Sequence, residues 1–145
     1  MPKGTTTCNK LLSIMYLAVG WANVADNAAS APLTNVYARL ATASYGPSSV
    51  ANANEVAYTN YAGGIAVPRS AAGWSTPSGG QISNVNPIEY LQCGVTGANA
   101  TSACTTTAAT GATDIWHYGD LNSPIAISNQ IQPRFPAGAM TITEA

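Results

Sequence analysis

From Asn35 onward the sequence is a succession of short apolar runs, each closed within a few residues by Gly, Pro, Asn or Ser. Runs of this length are too short for helices of several turns, and their β-branched and aromatic content favours pleated strands. Candidate strands are Asn35–Ala41, Tyr58–Tyr61, Gly64–Pro68, Gln81–Val85, Ile88–Cys93, Thr113–Tyr118, Pro124–Ser128 and Ala139–Thr143. Turn clusters separate them at Tyr45–Ser49, Thr76–Gly80, Asn86–Pro87, Gly119–Pro124 and Pro133–Gly138. This pattern predicts a mainly β fold, a jelly-roll-like antiparallel β-sandwich preceded by an N-terminal helix, because two packed sheets bury the apolar side of every strand. The stretch Val95–Gly111 holds almost nothing larger than Thr around Cys104 and is expected to be a loop, since no large side chain anchors it.

Before the strands, the apolar positions Leu11, Ile14, Met15, Ala18, Trp21, Ala22 and Ala25 recur at helical spacing. They predict an amphipathic helix over 8–27, capped by Thr6 or Thr7, after an extended arm over 1–7. Lys3 and Lys10 ahead of Leu11–Val19, with Ala29-Ser30-Ala31 further on, also fit a secretory signal peptide. The helical periodicity favours the amphipathic helix, and the apolar run is too short to cross a bilayer. A chain of 145 residues fits one domain, 1–145, with the β-sandwich over 33–145.

Charge limits what such a body does. Only 8% of the residues are charged while 46% are hydrophobic, so the chain folds but carries few general acids, bases or metal ligands. The five cations, Lys3, Lys10, Arg39, Arg69 and Arg134, form no basic run, which argues against nucleic acid as a partner. No membrane partner is expected either. His117 lies between Asp114 and Asp120, but there is no G-x-S-x-G elbow, and a lone His beside Trp116 and Tyr118 in a strand reads as a packed or surface residue. Glu55 and Glu89 are the remaining candidate acid pair and read as solvated strand-end residues. Cys8, Cys93 and Cys104 have no metal-ligand spacing, with or without His117, and read as free buried thiols. Gly63, Gly64, Gly79 and Gly80 match no phosphate-binding loop, and the sequon at Asn99 has meaning only in a secreted chain. No enzyme activity, cofactor or metal is expected.

Several segments resemble a family of small virion proteins of tailed phages. They are the opening Met1–Asn9, Ala25–Ser30 with Pro32–Asn35, Tyr58–Ala62, Ala72–Trp74, Ile127–Asn129 and Ala137–Glu144. Members of that family are labelled either tail fibre protein or capsid cement (decoration) protein. Where relatives read His-Thr-Ala-Asp-Pro-Gly after the first strand, this chain has Ala41-Thr42-Ala43-Ser44-Tyr45-Gly46 and has lost the charges of that loop. The resemblance implies a jelly-roll subunit, made in the host cytoplasm, that sits on the outer surface of the capsid and bridges major capsid protein subunits. A tail fibre or receptor-binding module is the alternative. A secreted carbohydrate-binding or hydrolytic β-sandwich is a weaker one. The expected partners are the major capsid protein and the protein itself, as a homo-oligomer and more specifically a dimer. Candidate interface residues are Lys3, Thr5 and Thr6 of the arm, with Trp21, Arg39, Trp74, Arg134 and Phe135 chosen by residue type.

Overall fold

A computed structural model describes residues 3–21 and 32–144. They form α1 (Thr5–Leu17) and strands β1 (Asn35–Ala41), β2 (Ile65–Pro68), β3 (Gln81–Ser83), β4 (Ile88–Glu89), β5 (Ala100–Thr106), β6 (Ile115–Ile125), β7 (Arg134–Phe135) and β8 (Thr141–Thr143). The fold is mainly β and antiparallel, consistent with a β-sandwich. One sheet runs β2-β1-β5-β6, and two-stranded pairs join β3 to β8 and β4 to β7. The chain gathers into two compact units, one from 1–35, 68–87 and 135–145, the other from 36–67 and 88–134.

In the first unit the helix starts earlier and ends sooner than its periodicity predicts. Gly4 is the N-cap and makes no side-chain cap bond, so neither Thr6 nor Thr7 caps the helix, and Thr5–Thr7 belong to its first turn. Ala18, in the left-handed conformation, closes it with its N–H on the Ser13 carbonyl. Ala22 to Asn27, the remainder of the predicted helix, lie outside the described residues. The buried stripe is Cys8, Leu12 and Tyr16, spaced four apart, rather than Leu11, Ile14 and Met15, which are half-buried. Tyr16 meets Trp74 edge to face at 4.6 Å. α1 packs on β3, which pairs antiparallel with β8, Ile82 opposite Ile142.

Two buried polar side chains fix this unit. Arg69 donates from Nε to the Met15 carbonyl at 2.7 Å, from Nη2 to the Ile14 carbonyl, and from Nη1 to the Leu33 carbonyl at 3.2 Å. A cation on the last-turn carbonyls satisfies acceptors that a helix end leaves open and complements its dipole. Burial lowers the Arg69 pKa from the ordinary arginine value. Asn84 donates to the Asn86 and Pro136 carbonyls and accepts the Met140 N–H, so its amide is satisfied inside the fold.

The second unit holds most of the larger sheet. β1 occupies the predicted residues and pairs with β5, Arg39 opposite Cys104 and Ala41 opposite Ser102. β5 is the largest departure from expectation, because the stretch read as a loop contains a central strand. With neighbours on both sides, β5 is buried at nearly every position, and Ala, Ser, Cys and Thr are the sizes that fit there. β6 then runs through the residues read as the Gly119–Pro124 turn. It carries extra residues between Asp120 and Ile125 and again at Trp116, and these bulges break its pairing with β5. Tyr58–Tyr61 is a turn closed by the Tyr61 N–H on the Tyr58 carbonyl, not a strand.

Candidate functional site

The interface candidates scatter. Lys3, Thr5 and Thr6 are exposed, but Lys3 is paired with Glu144 at 2.9 Å, and that hydrogen bond holds its pKa above the ordinary lysine value. Trp21 is half-buried under the Lys10 ammonium, 5.0 Å from its ring centroid. Arg134 is exposed, with Glu89 at 3.9 Å. Arg39, Trp74 and Phe135 are buried and offer no surface, so choosing them as contact anchors by residue type is corrected by their burial. A large amphipathic side chain serves a core and an interface equally well, and nothing local in the sequence separates the two uses.

What the second unit does assemble is an open cleft of about 650 Å³. Its polar centre is Glu55, just after the turn over 51–54 and bridged to the end of β1 at Ala41. Arg39 has no exposed surface and grips the Glu55 carboxylate with both arms, Nε to Oε1 at 2.8 Å and Nη2 to Oε2. Its Nη1 donates to the Gly111 carbonyl at 2.9 Å. Burial alone lowers the Arg39 pKa, but the Glu55 hydrogen bonds and charge outweigh it and leave the group above its ordinary value. The Tyr61 hydroxyl donates to Glu55 Oε1 at 2.7 Å. Burial first, then this bond, pushes the Tyr61 phenol well above the ordinary range.

Rings form the cleft's wall. Tyr58 and Tyr61 lie 5.2 Å apart, and Tyr61 stacks on Tyr90 at 6.3 Å. Tyr58 donates to the Leu91 carbonyl, Tyr90 donates to the Ala38 carbonyl, and burial pushes Tyr58 up to about 12. Val95 adds exposed apolar surface above the buried Val56, and Thr59 and Thr110 stand at exposed positions. Gly63 gives the cleft its shape: its φ is +98°, and a Cβ there would lie 2.4 Å from the Ala109 carbonyl oxygen. The sequence showed Glu55 only as half of an acid pair. The lining comes from 55–63, Val95 and Thr110, three stretches that no spacing rule connects.

Next to this cleft, the segments around Tyr90–Thr96 and Ile127–Pro133 run side by side without a charged residue. Backbone bonds join Tyr90 to Pro133, Cys93 to Ile131 and Gly97 to Ile127. The Gln92 and Gln132 amides bind the Gln130 and Tyr90 carbonyls. With those polar groups occupied internally, Leu91, Val95 and Ile131 stand out at 55%, 48% and 49% exposure.

The other residues weighed for chemistry do not converge. Asp120 accepts the Ser44 hydroxyl at 2.6 Å, Glu89 faces Arg134, and His117 sits opposite Thr105 in the β5–β6 register. The loop after β1 tucks Tyr45 inward, its hydroxyl donating to the Ala51 carbonyl. Cys8, Cys93 and Cys104 are buried free thiols. Among the described residues no three His, Cys, Asp or Glu side chains group as metal ligands, and no helix is long and apolar enough to cross a membrane.

An antiparallel β body with one N-terminal helix, a neutral cleft and an uncharged apolar ribbon presents surfaces for contact. The family model described as Podophage GP4 fiber I protein gp80 matches residues 14–143. The chain belongs to this family and is a phage structural protein. No curated protein matches it.

Proposed function

We propose that the protein is a fibre component of the phage particle that works by contact and not by catalysis. The observation that carries this reading is the family match, which spans both units and bears a fibre description. The internal pairing of Glu55, Glu89 and Asp120 supports the non-catalytic part.

A second reading is a cement subunit on the outer capsid surface that bridges major capsid protein subunits, with a homodimer as the bound form. The uncharged ribbon bearing Leu91, Val95 and Ile131 favours it, because broad apolar contact without buried charge avoids a large desolvation cost. A protein that binds an assembled shell better than its parts stabilises that shell by linkage.

Copy number separates the two. Quantitative mass spectrometry of purified particles, with antibody labelling in electron micrographs, should find few copies, confined to the tail. An amount rivalling the major capsid protein, spread over the head, would replace the fibre reading with the cement one.

A further inference from the structure

We propose that the cleft around Glu55 binds a neutral, hydroxyl-rich ligand of the monosaccharide class. The inference rests on the fibre reading for its biological use, though not for its chemistry. The volume, about 650 Å³, is that of a small-molecule site.

The chemistry of the lining narrows the class. Glu55 is the one carboxylate in the lining, and its oxygens repel an anion. Arg39, wholly buried behind it, matches its charge, so a cation gains little there. A neutral hydrogen-bond donor remains. The carboxylate is a rigid acceptor, held by two Arg39 nitrogens and the Tyr61 hydroxyl, yet its side chain keeps 17% of its surface open. A fixed acceptor costs less entropy on binding than a mobile one. Val95, exposed, and Tyr61, half-buried, provide apolar surface for the C–H faces of a sugar ring, with Val56 and Tyr58 buried behind them, while Thr59 and Thr110 supply hydroxyls at the rim. Glu55 is the one acid in the lining and already accepts from Arg39 and Tyr61, so the arrangement suits binding without turnover.

The test is amide NMR on the full chain, titrated with glucose, galactose, N-acetylglucosamine and mannose, and separately with inorganic phosphate and lysine. At least one sugar should shift the amides of Ala57, Thr59, Ala62, Val95 and Thr110 along a saturating curve. Ala62→Trp, at an exposed lining position, should weaken that response at least tenfold while leaving the rest of the spectrum in place. Thr110→Trp serves if the first variant does not fold. No shift with any sugar, an equal response in the blocked variant, or tighter binding of phosphate or lysine overturns the proposal. A tail location with no sugar response also overturns it and leaves the fibre reading standing.

Discussion

Breaking the Arg39–Glu55 pair should cost far more than breaking a surface ion pair, and the two halves should cost different amounts. Removing one partner of a buried pair costs about 3–5 kcal/mol, against about 0–1 kcal/mol for an exposed one. Arg39 is wholly buried, while 17% of the Glu55 side chain stays open to water. Arg39→Met leaves a carboxylate that water reaches and Tyr61 still supports, so its cost falls near the low end, about 3 kcal/mol. Glu55→Leu strands a guanidinium that water does not reach and takes the Tyr61 acceptor with it, so its cost nears about 5 kcal/mol. The double variant leaves neither charge orphaned and should be more stable than Glu55→Leu alone. Urea unfolding at pH 7 measures this: with a slope of about 2 kcal/mol per molar, Arg39→Met should lower the midpoint by about 1.5 M. An Arg39→Met cost under about 1 kcal/mol, or strictly additive single costs in the double variant, would refute the reasoning.

Gly63→Ala should destabilise by about 2–4 kcal/mol in the same assay, because φ is +98° and the new Cβ meets the Ala109 carbonyl; a neutral result would mean that the loop relaxes freely. The thiols of Cys8, Cys93 and Cys104 should resist a disulfide reagent at neutral pH and all react in denaturant, since each is buried and burial pushes Cys93 and Cys104 up; fast labelling of the native protein would contradict this. Stability should fall as pH rises from 10 toward 12. The unfolded chain sheds tyrosine protons near 10, whereas the folded protein keeps that of Tyr58 to about 12, those of Tyr45 and Tyr61 higher still, and that of Tyr90 well above its ordinary value. An unchanged urea midpoint between pH 9 and 11 would refute that.

The parts of the fold legible in the sequence are those where local pattern and tertiary setting agree. Asn35–Ala41 is a short apolar run containing Val36, Tyr37 and Leu40 and ended by a polar stretch, and it is a strand at those bounds. Ala100–Thr106 was hidden because a central strand is anchored by neighbours on both faces, and its small side chains look locally like a loop. The Gly119–Pro124 turn signal was real chemistry put to another use, since those residues bulge within β6 instead of ending it. Periodicity located a helix but not its bounds, which are Thr5–Leu17, and its buried stripe turned by one position because Tyr16, not Met15, faces Trp74. The cleft was the least legible feature. Glu55 gains its meaning from Arg39 and Tyr61, and only the folded backbone brings those three together.

The Lys3–Glu144 contact and the β3–β8 pairing have a consequence for the order of events during synthesis. α1 leaves the ribosome first, yet the unit it covers is stitched from three separated stretches, and β8 arrives last. At about 5–20 residues per second, roughly 6–25 seconds pass between completion of the helix and emergence of the strand that pairs with β3. Through that interval β3, against which α1 packs, lacks its antiparallel partner, while β1, β5 and β6 complete their sheet beforehand. The unit assembled last is therefore the one exposed to mispairing between nascent chains, and premature truncation before Thr141 leaves a folded sheet with β3 still unpaired.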